Sequence, residues 1–190
     1  MAIDLLVTGF GGFGEFATNP TEEAVKALAA GPRVATHVFR TAVAAVEEDL
    51  PRLLSQLTPR RVVLFGLAAT SPTVRLERVA RNRSSDSPDV DGAMLPSPID
   101  RAGEEVLCST LPLGEIEEAL TARSVATSYS TDAGGYLCNY SFYRCQQLAP
   151  AWGVENSGFV HVPGEEAYRA AGGGSFDYLA VVEAVVAVLA

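Results

Sequence analysis

The sequence predicts an α/β sandwich built around a largely parallel sheet, read as a single domain over residues 1–190. Two observations carry this. Short apolar runs alternate with longer helix-like runs along the whole chain, the order that stacks helices on both faces of a sheet. A hydrophobic fraction of 48% in 190 residues then supplies a sizeable core for those layers.

The elements follow in chain order. Met1-Ala-Ile-Asp-Leu-Leu-Val-Thr-Gly9 has no positive region and carries Asp4, so it reads as a buried first strand, Asp4–Thr8, and not as a signal peptide. The first helix, Pro20–Ala29, has clear punctuation: Asn19 as cap, Pro20 in the first turn and Glu22 three residues after the cap. A strand over Val34–Arg40 and a helix over Val43–Leu57 come next. Strands over Arg61–Gly66 and Val74–Ala80 follow, the second with imperfect alternation. Residues 84–101 are rich in Ser, Pro, Asp and Gly and read as a mobile surface loop. Beyond it stand a helix (Leu113–Thr121), a strand (Ser124–Ser128), a helix (Cys138–Leu148) and a strand (Gly158–Val162). Ser175 and Asp177 offer caps to a final apolar helix, Ser175–Ala190. Its apolar run is too short to span a bilayer.

Charge and cysteine usage narrow the function classes. A formal net charge of −9 makes nucleic acid a poor partner. Arginines at 75, 78, 81 and 83 form a short basic strip flanked by acids. Three cysteines, Cys108, Cys138 and Cys145, have no paired spacing, so a disulfide scaffold is disfavoured and a reducing, cytoplasmic setting is expected. No Cys/His spacing calls for a metal, and no cofactor is expected. The glycine-rich turn Gly9-Phe-Gly11-Gly12-Phe-Gly14 follows the first strand, but its register is wrong for a dinucleotide and its helix begins only near Pro20.

The most informative stretch is Asp132-Ala-Gly-Gly-Tyr-Leu-Cys138-Asn-Tyr-Ser-Phe-Tyr143. It places a thiol at or near a helix start, where free backbone N–H groups and the helix dipole favour a thiolate nucleophile. A small buried apolar residue is the competing reading. Of the two histidines, His161 ends an apolar strand in Ser157-Gly-Phe-Val-His-Val-Pro163, a position that suits a base held by rigid backbone. His37, within Val34-Ala-Thr-His-Val-Phe39, reads as structural. Glu77, in Val74-Arg-Leu-Glu-Arg-Val-Ala80, is a candidate to orient the imidazole; a solvated ion pair between arginines is the plainer alternative.

Four motifs in one order give a resemblance. Val7-Thr-Gly-Phe-Gly-Gly-Phe-Gly14 with Asn19-Pro20, Leu76-Glu-Arg-Val-Ala80 with Asn82, Ala133-Gly-Gly-Tyr-Leu-Cys138-Asn with Phe142-Tyr143, and Phe159-Val-His-Val-Pro163 resemble the pyroglutamyl peptidase I (C15) cysteine peptidases over nearly the whole length. The resemblance implies a three-layer α/β/α fold with a mixed, twisted central sheet and a single catalytic domain. It implies Cys138, His161 and Glu77 as the catalytic trio. It implies a pyroglutamyl pocket walled by Phe10 and Phe13, with Asn19, Thr41, Leu67, Tyr136 and Leu137 matching further lining positions. The expected activity is removal of an N-terminal pyroglutamyl residue from a peptide, with no cofactor and no membrane or nucleic-acid partner; subunit count stays open, homo-oligomers included.

Departures from the family pattern matter for specificity. Gly66-Leu67 stands where many bacterial members have Gly-Gln, and Ser87 stands where many have an arginine near the oxyanion. The loop 86–99 is also built differently. A related amidase acting on another small amide, a non-catalytic binding homologue, and a nucleotide-binding oxidoreductase disfavoured by the glycine register are the alternatives at this point.

Overall fold

The computed structural model describes residues 3–14, 17–29 and 31–190. The elements run β1 (Leu5–Phe10), α1 (Pro20–Ala27), β2 (Val34–Phe39), α2 (Val43–Leu57), β3 (Arg61–Ala68), β4 (Val74–Glu77), β5 (Val79–Arg81), β6 (Val106–Cys108), α3 (Leu113–Thr121), β7 (Thr127–Ser130), α4 (Leu137–Leu148), β8 (Asn156–Pro163), α5 (Glu165–Ala170) and α6 (Tyr178–Leu189). The main sheet has six strands in the order β2-β1-β3-β8-β4-β7. All neighbours are parallel except β4 and β8, which run antiparallel. The sheet is therefore mixed and mostly parallel.

Strand alternation divides the sheet into two faces. Leu5, Val7, Val63, Phe65, Val74, Leu76, Val160 and Val162 turn one way and pack with α1, α3 and α6. Leu6, Phe10, Val62, Leu64 and Phe159 turn the other way and pack with α2 and α4. The helices on both faces make the three layers that the alternation of runs predicts.

Asn19 caps α1 by accepting from the Thr21 amide, and Asp177 caps α6 by accepting from the Ala180 amide. Three other segments differ from their sequence expectation. The single strand over Val74–Ala80 is two strands: the chain leaves the main sheet at Arg78, and β5 pairs with β6 in a separate two-stranded ladder. That switch explains the imperfect alternation. The strand expected at Ser124–Ser128 lies at Thr127–Ser130, because Ser124 takes a left-handed backbone (φ 58°) in the turn that ends α3.

Residues 84–101 are anchored rather than loose. Asp89 is buried and accepts from the amides of Val43, Asp91 and Ala93, while Asn82 bonds the backbone at Asp100 and Gly103. Polar composition does not distinguish side chains facing water from side chains bonding backbone.

Candidate active site

Crevices in parallel sheets open where neighbouring strands part at their carboxyl ends. Here β1 pairs with β3 only as far as Thr8–Leu64, but follows β2 through Phe10–Phe39. The last residues of β3, from Phe65, thus lack β1 as a partner on that edge.

Next to this opening lie the three candidate catalytic side chains. Gly66 of β3 pairs in register with His161 of β8. A Cβ on Gly66 would fall 2.7 Å from Cys138 Sγ and 2.7 Å from the Phe159 ring. The thiol therefore occupies the space that Gly66 leaves, on the strand next to that of His161. His161 Nδ1 is 2.8 Å from Glu77 Oε1, and both side chains are buried. A carboxylate only accepts, so the Nδ1–H donates; in the neutral imidazole this leaves the Nε2 lone pair to take a proton. β4 sets this contact by pairing Arg75 with His161, which puts Glu77 on the same face.

Cys138 is the second residue of α4, whose N-cap is Tyr136. Its neighbour Asn139 is fully buried and fixes the helix start. The Asn139 side chain accepts from the Arg81 amide and donates to the Arg81 and Arg83 carbonyls. Upstream, the Gly135 carbonyl accepts from both the amide and the hydroxyl of Ser85. Gly135 has no room for a Cβ, which would meet Ser85 Cβ at 2.9 Å.

The thiol's electrostatics differ from the expectation of a helix-favoured thiolate. Burial, and then the Glu77 charge, push the Cys138 thiol up to about 12, against a smaller downward pull from its own backbone amide. Desolvation outweighs the helix start. This upward push favours the neutral thiol, so attack requires a base to take its proton.

The expected pocket residues fall into three groups. Phe10 is buried with its ring centroid 5.6 Å from Phe39, Phe13 and Tyr136 have centroids 6.2 Å apart, and Leu137 is fully buried in the α2/α4 core. Phe13 and Tyr136 line an open cavity of about 540 Å³ with Gly14, Ser87, Pro88, Asp89 and Val90. Asn19 and Thr41 both donate to the Gly11 carbonyl, at 3.4 and 2.9 Å, and so hold the loop that carries Phe13. The Leu67 side chain packs against the opposite core, leaving only its backbone near the site.

His37 sits apart, 3.2 Å from Asp49 on α2. Among the described residues, no cluster of His, Cys, Asp and Glu could hold a metal, and no helix is long and apolar enough to cross a membrane. Sequence reasoning did not single out Gly66 or Asn139 as site residues. A glycine inside a strand marks a close approach, and that signal was available for Gly66.

Residues 3–189 match the family model for pyroglutamyl peptidase. The pyrrolidone-carboxylate peptidase of Thermococcus onnurineus (strain NA1) is 34% identical over 165 residues, covering 84% of this chain and 82% of that protein. The enzyme of the same name from Pseudomonas fluorescens is 34% identical over 169 residues, covering 84% and 78%. The structure of pyrrolidone carboxyl peptidase from Thermococcus litoralis superimposes with a TM-score of 0.86 at 29% identity, covering 98% of this chain and 93% of that one.

Proposed function

The chain belongs to the pyroglutamyl peptidase family and is a cysteine-type peptidase, and from that premise we propose that it removes the N-terminal pyroglutamyl residue of peptides with Cys138, His161 and Glu77 as its catalytic trio. The observation that carries the assignment is the packing of Cys138 Sγ against Gly66, the strand partner of His161, with His161 bonded in turn to Glu77 at 2.8 Å. In this reading residues 1–190 act as one catalytic domain. The free state of Cys108, Cys138 and Cys145 supports a cytoplasmic setting.

The reaction proceeds by acyl transfer. His161 Nε2 takes the Cys138 proton as sulfur attacks the pyroglutamyl carbonyl carbon. The Glu77 carboxylate holds the imidazole tautomer and stabilises the imidazolium that forms. The Cys138 amide, at the start of α4, donates to the developing oxyanion. His161 then returns the proton to the leaving amine nitrogen as the C–N bond breaks. Water, deprotonated by His161, attacks the thioester carbon; pyroglutamate leaves and the thiol is restored.

Specificity is assigned to the crevice between β1 and β3. The rings of Phe10, Phe13 and Tyr136, with Leu137 beneath, supply apolar walls. Backbone groups at Gly66 and Leu67, on the edge without β1, would pair the lactam N–H and C=O. Asn19 and Thr41 act through the Gly11 carbonyl by fixing the loop. The departure at Leu67 is tolerated in this reading, because its side chain faces away from the crevice. A different small amide and a non-catalytic homologue are not favoured: the matched relatives carry the peptidase name, and the His161–Glu77 bond supports the proposed trio.

The test is turnover of pyroglutamyl, prolyl and alanyl fluorogenic amides. A site that pairs a buried lactam should favour pyroglutamyl over prolyl by about 10⁴-fold. Phe13→Ala should raise KM more than it lowers kcat. Comparable rates on both amides would sink the pyroglutamyl assignment.

A further inference from the structure

The basic strip does not face solvent as a set. Arg78 lies 5.8 Å from the Tyr129 ring centroid, the Arg81 Nε donates to the Thr131 carbonyl at 3.0 Å, and Arg83 is 3.6 Å from the Asp132 carboxylate. All three close on residues 129–132, the end of β7 and the chain that leads to Cys138. Arg75 closes on the same segment but also reaches inward. Its Nη2 donates to Ser130 Oγ at 2.5 Å and to the Asp132 carbonyl, while its Nε is 3.1 Å from Glu77 Oε1.

We propose that Arg75 is a positioning residue of the active site, one guanidinium that fixes the Glu77 carboxylate and ties it to the segment leading into the nucleophile. The proposal rests on the catalytic trio assigned above. Glu77 is 0% exposed, and its Oε1 is hydrogen-bonded to His161 Nδ1 and ion-paired with Arg75 Nε at 3.1 Å. Its Oε2 is buried with no hydrogen-bond partner among the described residues.

A carboxyl torsion is broad and two-fold, so a single bond to the imidazole would not hold this group in one orientation. The guanidinium charge 3.1 Å from the same oxygen adds the second constraint. The planar fork of an arginine can serve Glu77, Ser130 and Asp132 together; a lysine ammonium is a point charge without that fixed geometry. Asp132 opens the turn in which its own carboxylate accepts from Gly134, four residues before Cys138. Base and nucleophile come from different elements, and Arg75 pairs with Glu77 behind the base while bonding the segment that leads to the nucleophile.

The experiment is a double-mutant cycle on the pyroglutamyl amide, using Arg75→Met, Glu77→Gln and the double variant, with Cys138→Ala as a control. Arg75→Met should lower kcat about 10- to 100-fold, with KM within about twofold of wild type. A positioning residue that acts through Glu77 should add little once Glu77 is altered, so the double variant should lie within about threefold of Glu77→Gln. A purely structural role predicts multiplied losses with a lowered Tm, and that result overturns the proposal.

Wild-type kcat in Arg75→Met, with activity lost in Glu77→Gln and Cys138→Ala, overturns this proposal alone. Full activity in Cys138→Ala instead overturns the catalytic trio and the proposal with it. Should Arg75→Met fail to fold, Arg75→Lys carries the same cycle: it retains the stem and the charge, and should show a smaller kcat loss with the same non-additivity.

Discussion

The two faces of the central sheet are made by the same strands but carry different work. Along β8, Val160 and Val162 join the core under α1, α3 and α6, while Phe159 and His161 turn toward α2 and α4. Along β4, Val74 and Leu76 go one way, Arg75 and Glu77 the other. The first face is almost wholly aliphatic. The second holds Glu77, His161 and the thiol beside aromatic rings and a strand glycine. Burying an aliphatic side chain contributes about 1.5–3 kcal/mol, whereas a buried carboxylate stabilises nothing unless it is paired. The difference teaches that the aliphatic face keeps the strands in register, and the register then holds Glu77 against His161 on the polar face.

Substitutions on the two faces should therefore separate rate from stability. The largest effect belongs to Cys138→Ala, which should remove at least about 10³-fold of turnover while Tm stays near wild type. A large fall in Tm would break the division of labour. His161→Ala should cost about 10²–10⁴-fold, and His37→Ala should leave kcat within about twofold. Equal losses at the two histidines would break the assignment of the base. Gly66→Ala sharpens the comparison, because its Cβ would meet Cys138 Sγ and the Phe159 ring at 2.7 Å. It should lower kcat about 10²-fold by moving the thiol, and add an overpacking cost of about 1–3 kcal/mol.

On the other face, Leu120→Ala in α3 removes a fully buried side chain of the aliphatic core. It should cost about 2–5 kcal/mol of stability and leave kcat of the folded enzyme within about twofold. A selective kcat loss there would show that the faces are coupled more tightly than this account holds.

The smallest effect is on pH dependence. Burial pushes both Cys138 and Cys145 up to about 12 from an ordinary thiol value of 9.0; the Glu77 charge adds to this at Cys138. The fold favours the neutral thiols. That contribution is full below pH 9.0 and is lost as pH rises toward about 12. Thermal unfolding measured across this window should show Tm falling, and Cys138→Ser should fall less steeply. An unchanged slope would mean that the Cys138 thiol is not held neutral.

Much of this was legible in the sequence because it is local. The alternation of runs gave the layers, Asn19 and Asp177 marked two helix starts, and the glycines before Cys138 marked the third. Glu77 was already a candidate to orient the imidazole, but spacing alone does not bring residues 84 positions apart into contact, and the motif supplied the pairing. What stayed hidden depends on distant partners. Arg75 looks like surface charge until β7 is laid beside β4. The strands β5 and β6 have three residues each and pair only with one another, too little for periodicity to register. Residues 84–101 looked loose because their polar side chains bond backbone from other segments, which composition does not reveal.

The central claim is a covalent acyl-enzyme on the thiol next to His161. Acid quenching during steady turnover of a pyroglutamyl amide, followed by peptide mass spectrometry, tests it directly. The account predicts a pyroglutamyl adduct on the peptide bearing Cys138, and none on those bearing Cys108 or Cys145. An adduct on another cysteine, or sustained turnover by the Cys138→Ala protein, would contradict it.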